Sequence, residues 1–249
     1  MEKAQESISD STKYYQHFLQ QILPSISEAI DETLSDSRAN LIENCYLKGT
    51  SFSSWRQILL QQAKVDYEIL YNELQSDLIA SISSAITGNY RIALMSIRSF
   101  IELSNLFAYY YYHPLEYSWW LNDAHVIKFS ELNQNYFTYY KLLDKYHINT
   151  HMYSEWKKVS KYVHAEFKSY MQSSDDLPFL PIYQKSKLGQ WITHFSKATI
   201  YINQLFYVVF KDIYFGLYSK IEFQNPCQII RNNINNEALF SEVKEAYYK

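Results

Sequence analysis

The sequence of 249 residues predicts an all-α protein: a helical bundle of about six to nine helices built on a long antiparallel helical hairpin. Glycine occurs only 4 times and proline 5 times, far below their average usage. Because turn-forming residues are scarce in a long chain, the elements should be few and long. Apolar residues recur at helical spacing over most of the chain, and no segment shows the alternation of a strand.

The first half of the chain contains three helical patterns, at about 11–34, 55–86 and 90–112. Pro24 should kink or restart the first helix. The small and polar residues of segment 48–54 predict a break before the second helix, and Ser76-Asp77 is a weak point within it. Gly88 predicts the end of that helix, because glycine readily adopts the left-handed conformation of a helix terminus. The second and third helices, joined by this tight turn, form the predicted hairpin.

The second half predicts several short helices and one long one. The expected helices cover about 137–146, 153–171, 187–218 and 237–247, with a short amphipathic turn at 115–121. Two prolines and a lack of periodicity predict a loop over 173–181. We expect residues 1–10 to be a flexible N-terminus, 11–220 to form a single domain, and 221–249 to form a C-terminal helical extension.

Composition and charge argue against several classes of protein. The net charge of −3 argues against binding of nucleic acid by the whole surface, so any such contact must be local. Cys45 and Cys227 form no CxxC pair, so neither a zinc site nor a disulfide framework is indicated. The N-terminus lacks the apolar segment of a signal peptide, and the uncharged run at 199–210 is too short to span a bilayer. We expect a cytoplasmic protein that does not enter the membrane.

The familiar cofactor and metal motifs are not indicated either. With only 4 glycines, the chain has no Walker A loop, GxGxxG or GxSxG motif. His147 and His151 have the spacing of a metal-binding helix face, but no nearby carboxylate cluster completes a ligand set. We therefore expect no metal and no cofactor.

A polar stripe lies along the otherwise apolar helix at 90–112. Helical spacing places Arg91, Arg98, Glu102, Asn105 and Tyr109 near one line. On an exposed surface, an Arg–Glu pair at this spacing contributes only about 0.2–0.5 kcal/mol. Inside a bundle, ionic groups are costly unless they are paired and hydrogen-bonded. The stripe is therefore either a buried structural network or a functional site.

A cationic helix face follows at 156–168, beside an apolar face that includes Trp156. It carries the densest cationic group in the chain, formed by Lys157, Lys161, His164 and Lys168 with Ser160 among them. Such a face can hold a phosphate backbone, and a histidine there can transfer a proton near neutral pH. The alternative is a solvated lysine face with a histidine at the edge of the core. If the face is functional, we expect Arg91, Lys157, Lys158, Ser160 and Lys161 to bind phosphate.

At these two segments the sequence resembles the HEPN superfamily of helical domains, which is common in bacterial toxin–antitoxin and abortive-infection systems. The first matching pattern is G-x-Y-x-x-A…R-S-x-x-E, formed by Gly88, Tyr90, Ala93, Arg98, Ser99 and Glu102. The second is S-K-Y-V-H at 160–164. The resemblance covers roughly residues 55–215, with long unmatched stretches between the motifs.

The resemblance implies metal-independent cleavage of RNA by a homodimer. His164 would be the acid/base, Arg98 the cation at the phosphate, and Glu102 the residue that orients Arg98. HEPN ribonucleases carry an arginine separated from the histidine by four to six residues, whereas this chain has Lys157, Lys158 and a valine at those positions. Either Arg98 approaches His164 from the neighbouring helix, or the domain is a non-catalytic relative.

An alternative function belongs to a different class of protein. The 25 tyrosines suit half-buried helix faces, interfaces and base-stacking surfaces alike. A helical module could dimerise, or hold a partner such as an antitoxin or a nucleotidyltransferase, through a tyrosine-rich surface. That hypothesis expects an interface centred on aromatic residues such as those at 109–112.

Overall fold

The computed structural model describes the backbone of residues 2–164 and 181–248, with side chains described for residues 16, 19–162 and 181–248. Over these residues the secondary structure is helical, which confirms the all-α prediction. The described residues form twelve α-helical segments: α1 (Glu2–Ser35), α2 (Ala39–Gln62), α3 (Glu68–Ile86), α4 (Tyr90–Tyr110), α5 (Pro114–Leu121), α6 (Phe129–Glu131), α7 (Lys141–Lys145), α8 (Ile148–His164), α9 (Lys185–Val209), α10 (Lys211–Tyr218), α11 (Gln224–Ile234) and α12 (Glu237–Tyr248). The expected count of six to nine is not confirmed, because several of these segments are only one or two turns long.

The predicted break at 48–54 is wrong, since α2 continues through it. Small residues here serve packing rather than a turn: a Cβ on Gly49 would lie 2.8 Å from Leu78 Cδ2, so α2 approaches α3 closely. The hydroxyl of buried Ser51 donates to the carbonyl of Lys48 at 2.7 Å. The chain breaks instead at 63–67, and α3 then continues past the expected weak point at 76–77.

Helices α3 and α4 pack against each other along their length. Gly88 has a φ of 78° in the turn between them, as expected for a glycine at a helix end. The Ser81 hydroxyl donates to the Ala93 carbonyl at 2.9 Å, and the Tyr67 hydroxyl donates to the Tyr110 carbonyl at 3.0 Å. Ser81 and Ala93 lie near the turn, whereas Tyr67 and Tyr110 lie far from it. The two helices are therefore antiparallel.

Other element boundaries also differ from the sequence predictions. The expected long helix at 187–218 is divided at Phe210 into α9 and α10. The expected helix at 137–146 is a 3-10 turn followed by α7, and α8 begins at Ile148 rather than near 153. α11 was not predicted, and α1 begins at Glu2, within the residues expected to be flexible. Most of the predicted loop at 173–181 and the predicted end of α8 lie outside the described residues.

The C-terminal helix α12 begins where the sequence predicts it. Asn235 has a left-handed φ of 50° at the end of α11. The side-chain oxygen of Asn236 then accepts a hydrogen bond from the Leu239 amide at 2.9 Å, which is the usual role of asparagine before the first turn of a helix.

Helices α4 and α9 form the centre of the bundle, and large aromatic side chains fill the space between them and α2. The rings of Phe52 and Phe100 meet edge to face with centroids 4.9 Å apart. Buried indoles find polar partners: Trp55 Nε1 donates to Asn203 Oδ1 at 2.9 Å. α4 contacts α3, α8 and α9. Its polar stripe lies beside α8, since Glu102 accepts a hydrogen bond from Trp156.

The tyrosines at 109–112 belong mainly to this core rather than to a surface. Tyr110 is fully buried. The hydroxyl of Tyr111 donates to the Leu59 carbonyl at 3.0 Å, and that of Tyr112 donates to the Val209 carbonyl at 3.2 Å. Of the four, Tyr112 alone is exposed, by 44%. The largest share of the surface that these four residues leave exposed therefore belongs to Tyr112, and the interface expected from the sequence stays a prediction.

Among the described helices, none combines the length and the apolar character that crossing a membrane would require.

Candidate functional site

The site lies between α4 and α8, which cross in antiparallel order. Near the C-terminal half of α4, the buried Asn105 side chain contacts Met152 Sδ at 3.4 Å. Glu102 lies one turn before Asn105 in α4, and Trp156 lies one turn after Met152 in α8. The indole Nε1 of Trp156 donates to Glu102 Oε1 at 2.6 Å. This register sets which side chains of the two predicted motifs can meet.

Arg98 and Glu102 form the ion pair that their spacing predicts. Arg98 Nε donates to Glu102 Oε1 at 2.9 Å, the same oxygen that accepts the Trp156 indole hydrogen. The arginine side chain is 25% exposed and the glutamate side chain 31%. The guanidinium carbon also lies 5.4 Å from the centroid of the Trp156 ring, within cation–π range. The stripe is thus neither fully buried nor freely solvated at this point.

These three residues line a cleft of about 320 Å³, which we call the Arg98 cleft. Its other lining residues are Leu106, Val126, Ile127, Lys128, Phe129 and Ser130. The Phe129 ring lies 5.0 Å from that of Trp156. The volume is at the lower end of the range for small-molecule sites, and the lining combines apolar surface with a few polar groups, as such sites do.

Aromatic side chains continue from the Arg98 cleft along the outer face of α8. Tyr153 stacks on Trp156 with centroids 5.7 Å apart and an interplanar angle of 17°. Lys157 Nζ lies 4.6 Å from the centroid of the Tyr153 ring. Lys128 and Phe129 were not predicted as site residues, because segment 122–131 has no helical periodicity from which its position could be inferred. Tyr153 lies in a predicted helix, but its place beside Trp156 depends on which face of α8 packs on α4.

The α3 side of the site is acidic. Asp77 hydrogen-bonds to Ser99, one residue after Arg98. Burial raises the pKa of Asp77, the hydrogen bond to Ser99 lowers it, and the charges of Glu73 and Glu102 raise it further. Glu102 therefore lies between a carboxyl group on one side and the cations of α4 and α8 on the other.

The residues expected to bind phosphate do not form one group. Lys157 lies beside the Arg98 cleft, over Tyr153, and Lys161 is half-buried farther along α8. Lys158 turns to the other flank of α8, where its Nζ is 3.8 Å from Glu155 Oε2. Ser160 is nearly buried, and its hydroxyl donates to the Trp156 carbonyl at 2.8 Å. Arg91 is exposed in the first turn of α4, seven residues and about 10 Å along the axis from Arg98.

His164 is the last residue of α8, and its side chain lies outside the described residues. Its backbone is eight residues beyond Trp156, which corresponds to about 12 Å along the helix axis. Given the antiparallel register, this end of α8 lies toward the first turn of α4. Arg98, Glu102 and His164 were expected to converge. Arg98 and Glu102 contact each other, and among the described side chains the residue that joins them is Trp156.

A second polar pair, between α8 and α9, was not predicted. His194 Nδ1 donates a short hydrogen bond to Glu155 Oε1, with the glutamate side chain only 2% exposed and the histidine side chain 13%. Glu155 is the one acidic residue between 148 and 164, and the sequence 185–209 contains none. That isolation is the signal that could have marked Glu155, although its partner depends on where α9 packs.

Positive charge is concentrated on this helix pair. Against the single carboxylate of Glu155, α8 and α9 carry six lysines, at 157, 158, 161, 185, 187 and 197. The whole chain has a net charge of −3, so charge is segregated within the molecule. A local cationic surface was expected from α8 alone, and α9 extends it.

The remaining histidine and cysteine candidates do not form a site of their own among the described side chains. His147 has a left-handed φ of 54° just before α8, and its ring is 6.2 Å from that of His151. Cys45 and Cys227 are free and buried, and burial raises the pKa of the Cys227 thiol to about 11. In the part of the chain with described side chains, no three metal-ligating groups lie together.

Comparison with known proteins gives no family for this chain, since it matches no protein-family model, no curated protein and no solved structure. The resemblance to HEPN domains therefore stays a prediction.

Proposed function

We propose that this chain is a HEPN-like protein that acts on RNA, and that the Arg98 cleft binds a nucleotide of a single strand. The observation that carries the proposal is the Arg98 guanidinium, which lies 5.4 Å from the centroid of the Trp156 ring and is held by Glu102. Proteins that bind single-stranded nucleic acid combine aromatic stacking surfaces with cations along the backbone. The cleft brings both components together.

The arrangement is preformed, which favours binding. Glu102 and the indole of Trp156 fix the position of Arg98, so the guanidinium loses little side-chain freedom when a ligand arrives. Glu102 accepts from the Nε of Arg98. The two terminal nitrogens of the guanidinium can therefore still donate to a phosphate. Phe129 and Tyr153 pack on Trp156 and on each other, and so enlarge the aromatic surface beside Arg98.

The lysines of α8 and α9 supply a local electrostatic attraction that the net charge of the chain does not. Exposed Lys157 lies next to the aromatic surface, and Lys128 lines the cleft itself. Contacts of this kind release counterions from the RNA, so binding should weaken steeply as salt concentration rises.

The resemblance to HEPN ribonucleases adds a chemical step. A base removes the proton of a ribose 2′-hydroxyl, a bond forms between O2′ and phosphorus, the bond from phosphorus to O5′ breaks, and the departing O5′ takes a proton from water. We assign His164 as the base, Arg98 as the cation that stabilises the phosphorane, and Glu102 as the residue that orients Arg98.

The experiment is incubation of the purified full chain with labelled single-stranded RNA in the presence of EDTA. Cleavage to 2′,3′-cyclic phosphate ends, abolished in His164→Ala but retained in the matched variant His125→Ala, supports the ribonuclease assignment. Binding without cleavage supports an RNA-binding protein and removes His164 from the site. If neither binding nor cleavage is detected with any RNA tested, the proposal is wrong.

Helix α5 favours a second candidate function, a binding module that dimerises or holds a partner protein such as an antitoxin or a nucleotidyltransferase. Its side chains Leu115, Trp119 and Leu121 are 60%, 44% and 45% exposed, and clustered exposed apolar surface is typical of interaction sites. Light scattering should then give a dimer mass for the wild type and a monomer mass for Trp119→Ser. A monomeric wild type that copurifies with no partner would contradict this candidate.

A further inference from the structure

A groove runs between α2 and α3. Gln75 Nε2 donates to Ser53 Oγ at 3.2 Å, and Arg56 Nε donates to Asn72 Oδ1 at 3.3 Å. Because residue numbers rise along α2 as they fall along α3 in these two pairs, the helices are antiparallel. Side chains from both helices therefore lie opposite one another along the groove.

Two adjoining cavities make up this groove, which we call the α2–α3 groove. The larger has a volume of about 910 Å³ and lies where the chain passes from α2 to α3. The smaller has a volume of about 110 Å³ and lies beside Gly49. Ser53 and Gln75 line both cavities, so the two are continuous. On α3 the lining extends from Glu68 to Ile82, which corresponds to about 21 Å along the helix axis.

The smaller cavity is the apolar end of the groove. Its lining includes Tyr46 of α2 with Leu78, Ile79 and Ile82 of α3. The side chains of Tyr46 and Ile79 are 60% and 64% exposed. Large apolar side chains that are grouped and exposed are typical of interaction sites.

The larger cavity is the polar end, and its charges are balanced. Among its described lining residues, Arg56 and Lys64 are offset by Asp66 and Glu68. A groove without an excess of positive charge is not suited to a nucleic-acid backbone. The lining also carries side-chain amides, which both donate and accept hydrogen bonds as the main chain of a peptide does. These belong to Gln57, Gln61, Asn72 and Gln75.

Arg56 is the cation placed to receive a ligand. Its Nε donates to Asn72 and its Nη2 to Glu68, so the guanidinium is held in place while Nη1 makes neither contact. The Glu68 side chain is 55% exposed, and an exposed ion pair of this kind contributes little to stability. A carboxylate from a ligand can therefore compete with Glu68 for Arg56.

We propose that the α2–α3 groove binds an extended segment of a partner protein, with an apolar side chain in the smaller cavity and an acidic side chain at Arg56. Gly49 and Arg56 are seven residues apart on α2, about 10 Å along the axis. In a polyproline II segment, side chains three positions apart lie on one side and about 9 Å apart. The recognised segment therefore carries an apolar and an acidic residue three positions apart.

An extended segment fits this groove better than a helix does. The main-chain groups of a helix are already paired, and helical partners require a groove that is apolar along its length. Here one end alone is apolar, whereas the other offers amides that can pair with the free main-chain groups of an extended segment. The described lining of the groove shares no residue with that of the Arg98 cleft, so the proposal does not depend on RNA binding there.

The test uses two hexapeptides that carry the two side chains in opposite orders, Ac-Ser-Leu-Pro-Ser-Glu-Ser-NH₂ and Ac-Ser-Glu-Pro-Ser-Leu-Ser-NH₂. Each is added to the ¹⁵N-labelled full chain, and side-chain amide signals are followed by NMR. We expect those of Gln57 and Gln75 to shift and saturate with at least one peptide, and those of Gln228 on α11 to stay unchanged. Replacing leucine by serine, or glutamate by lysine, in that peptide should weaken binding by at least about 5-fold.

Two variants that break the same ion pair should act in opposite directions. Arg56→Gln should weaken binding of the glutamate peptide by about 10-fold, because it removes the partner of the carboxylate. Glu68→Gln should strengthen binding by about 2- to 5-fold, because it removes a competitor for Arg56. A merely structural role of the pair would move both variants the same way.

A matched pair of exposed isoleucines tests the apolar end. Ile79→Ser should weaken binding by about 10-fold. Ile69→Ser, 61% exposed on the same helix but not among the described lining of the groove, should leave binding unchanged, as should Arg98→Gln in the RNA cleft. The proposal is overturned by the absence of a saturable shift with both hexapeptides, by equal binding of the serine- or lysine-substituted peptides, or by equal effects of the two isoleucine variants. Shifts of Gln57 and Gln75 with the dinucleoside UpU but not with the peptides also overturn it.

Discussion

At the scale of single residues, one carboxylate oxygen organises the Arg98 cleft. Glu102 Oε1 accepts from both Arg98 Nε and Trp156 Nε1. Hydrogen bonds to a charged acceptor contribute more than neutral ones, and both donors lie in partly buried surroundings. Glu102 thus connects α4 to α8 as well as positioning the guanidinium.

Replacing the Glu102 carboxylate should lower the stability of the protein more than replacing an exposed carboxylate. Glu102→Gln should lower the free energy of unfolding by about 1–2 kcal/mol, because the ion pair with Arg98 is lost and the hydrogen bond from Trp156 becomes neutral. The matched variant Glu68→Gln, which loses an exposed ion pair with Arg56, should change it by less than about 0.5 kcal/mol. Urea unfolding measures both, and equal effects would contradict the linking role of Glu102.

A second carboxylate, Asp36, predicts how stability depends on pH. Its side chain accepts hydrogen bonds from Arg38 and Tyr183, and these bonds, with Arg38 first, hold its pKa well below the usual range. Because the folded-state pKa is depressed, the stabilisation is present above the unfolded-state pKa of about 3.9 and is lost as pH falls below it.

The substitution Asp36→Asn should therefore lower the melting temperature at pH 7, and the difference from wild type should shrink as the pH falls below about 4. Exposed Asp31→Asn on α1 is the control and should have little effect at either pH. A constant difference between wild type and Asp36→Asn from pH 7 to pH 3 would show that Asp36 contributes through shape rather than charge.

At the scale of elements, the turn between α3 and α4 depends on glycine for two reasons. Gly88 has a φ of 78°, and a Cβ there would lie 2.9 Å from backbone atoms of Ile182. Neither the strain nor the contact can be relieved by a side-chain rotation. This turn also fixes the segment that leads into α9.

Two glycine-to-alanine variants should thus act in opposite directions. Gly88→Ala should destabilise the protein by at least about 1–2 kcal/mol, through left-handed strain and the clash with Ile182. Gly216→Ala, within α10 and with nothing within 4 Å of the added Cβ, should stabilise it by about 0.5–1 kcal/mol. Thermal or urea unfolding gives both signs, and a stabilising Gly88→Ala would contradict the described turn.

The sequence was most informative where a local pattern decides the structure. Helical spacing predicted the Arg98–Glu102 pair, Gly88 predicted a turn, and the helix expected at 237–247 corresponds to α12. It failed at 48–54, where small residues suggest a loop but instead let α2 pack closely on α3. The Trp156 contact with Glu102 and the His194 contact with Glu155 could not be predicted, because each depends on the register between two helices far apart in the chain.

At the scale of the whole molecule, charge is distributed unevenly. The chain carries a net charge of −3, yet α8 and α9 have six lysines and one carboxylate between them. A local concentration of positive charge attracts anions to this helix pair although the net charge of the chain is negative. The Arg98 cleft lies on the flank of α8 that faces α4.

The most direct measurement of the central claim is the affinity for a short fluorescein-labelled single-stranded RNA, followed by anisotropy at fixed low salt. Arg98→Gln should weaken binding by about 10-fold or more, since about 1.4 kcal/mol is lost with one charge-assisted phosphate contact. Arg56→Gln removes an arginine that is also ion-paired, with Glu68, but lies away from the cleft, and it should change the affinity by less than about 2-fold. Equal affinities of the two variants, with both folded by thermal melting, would contradict an RNA site at Arg98.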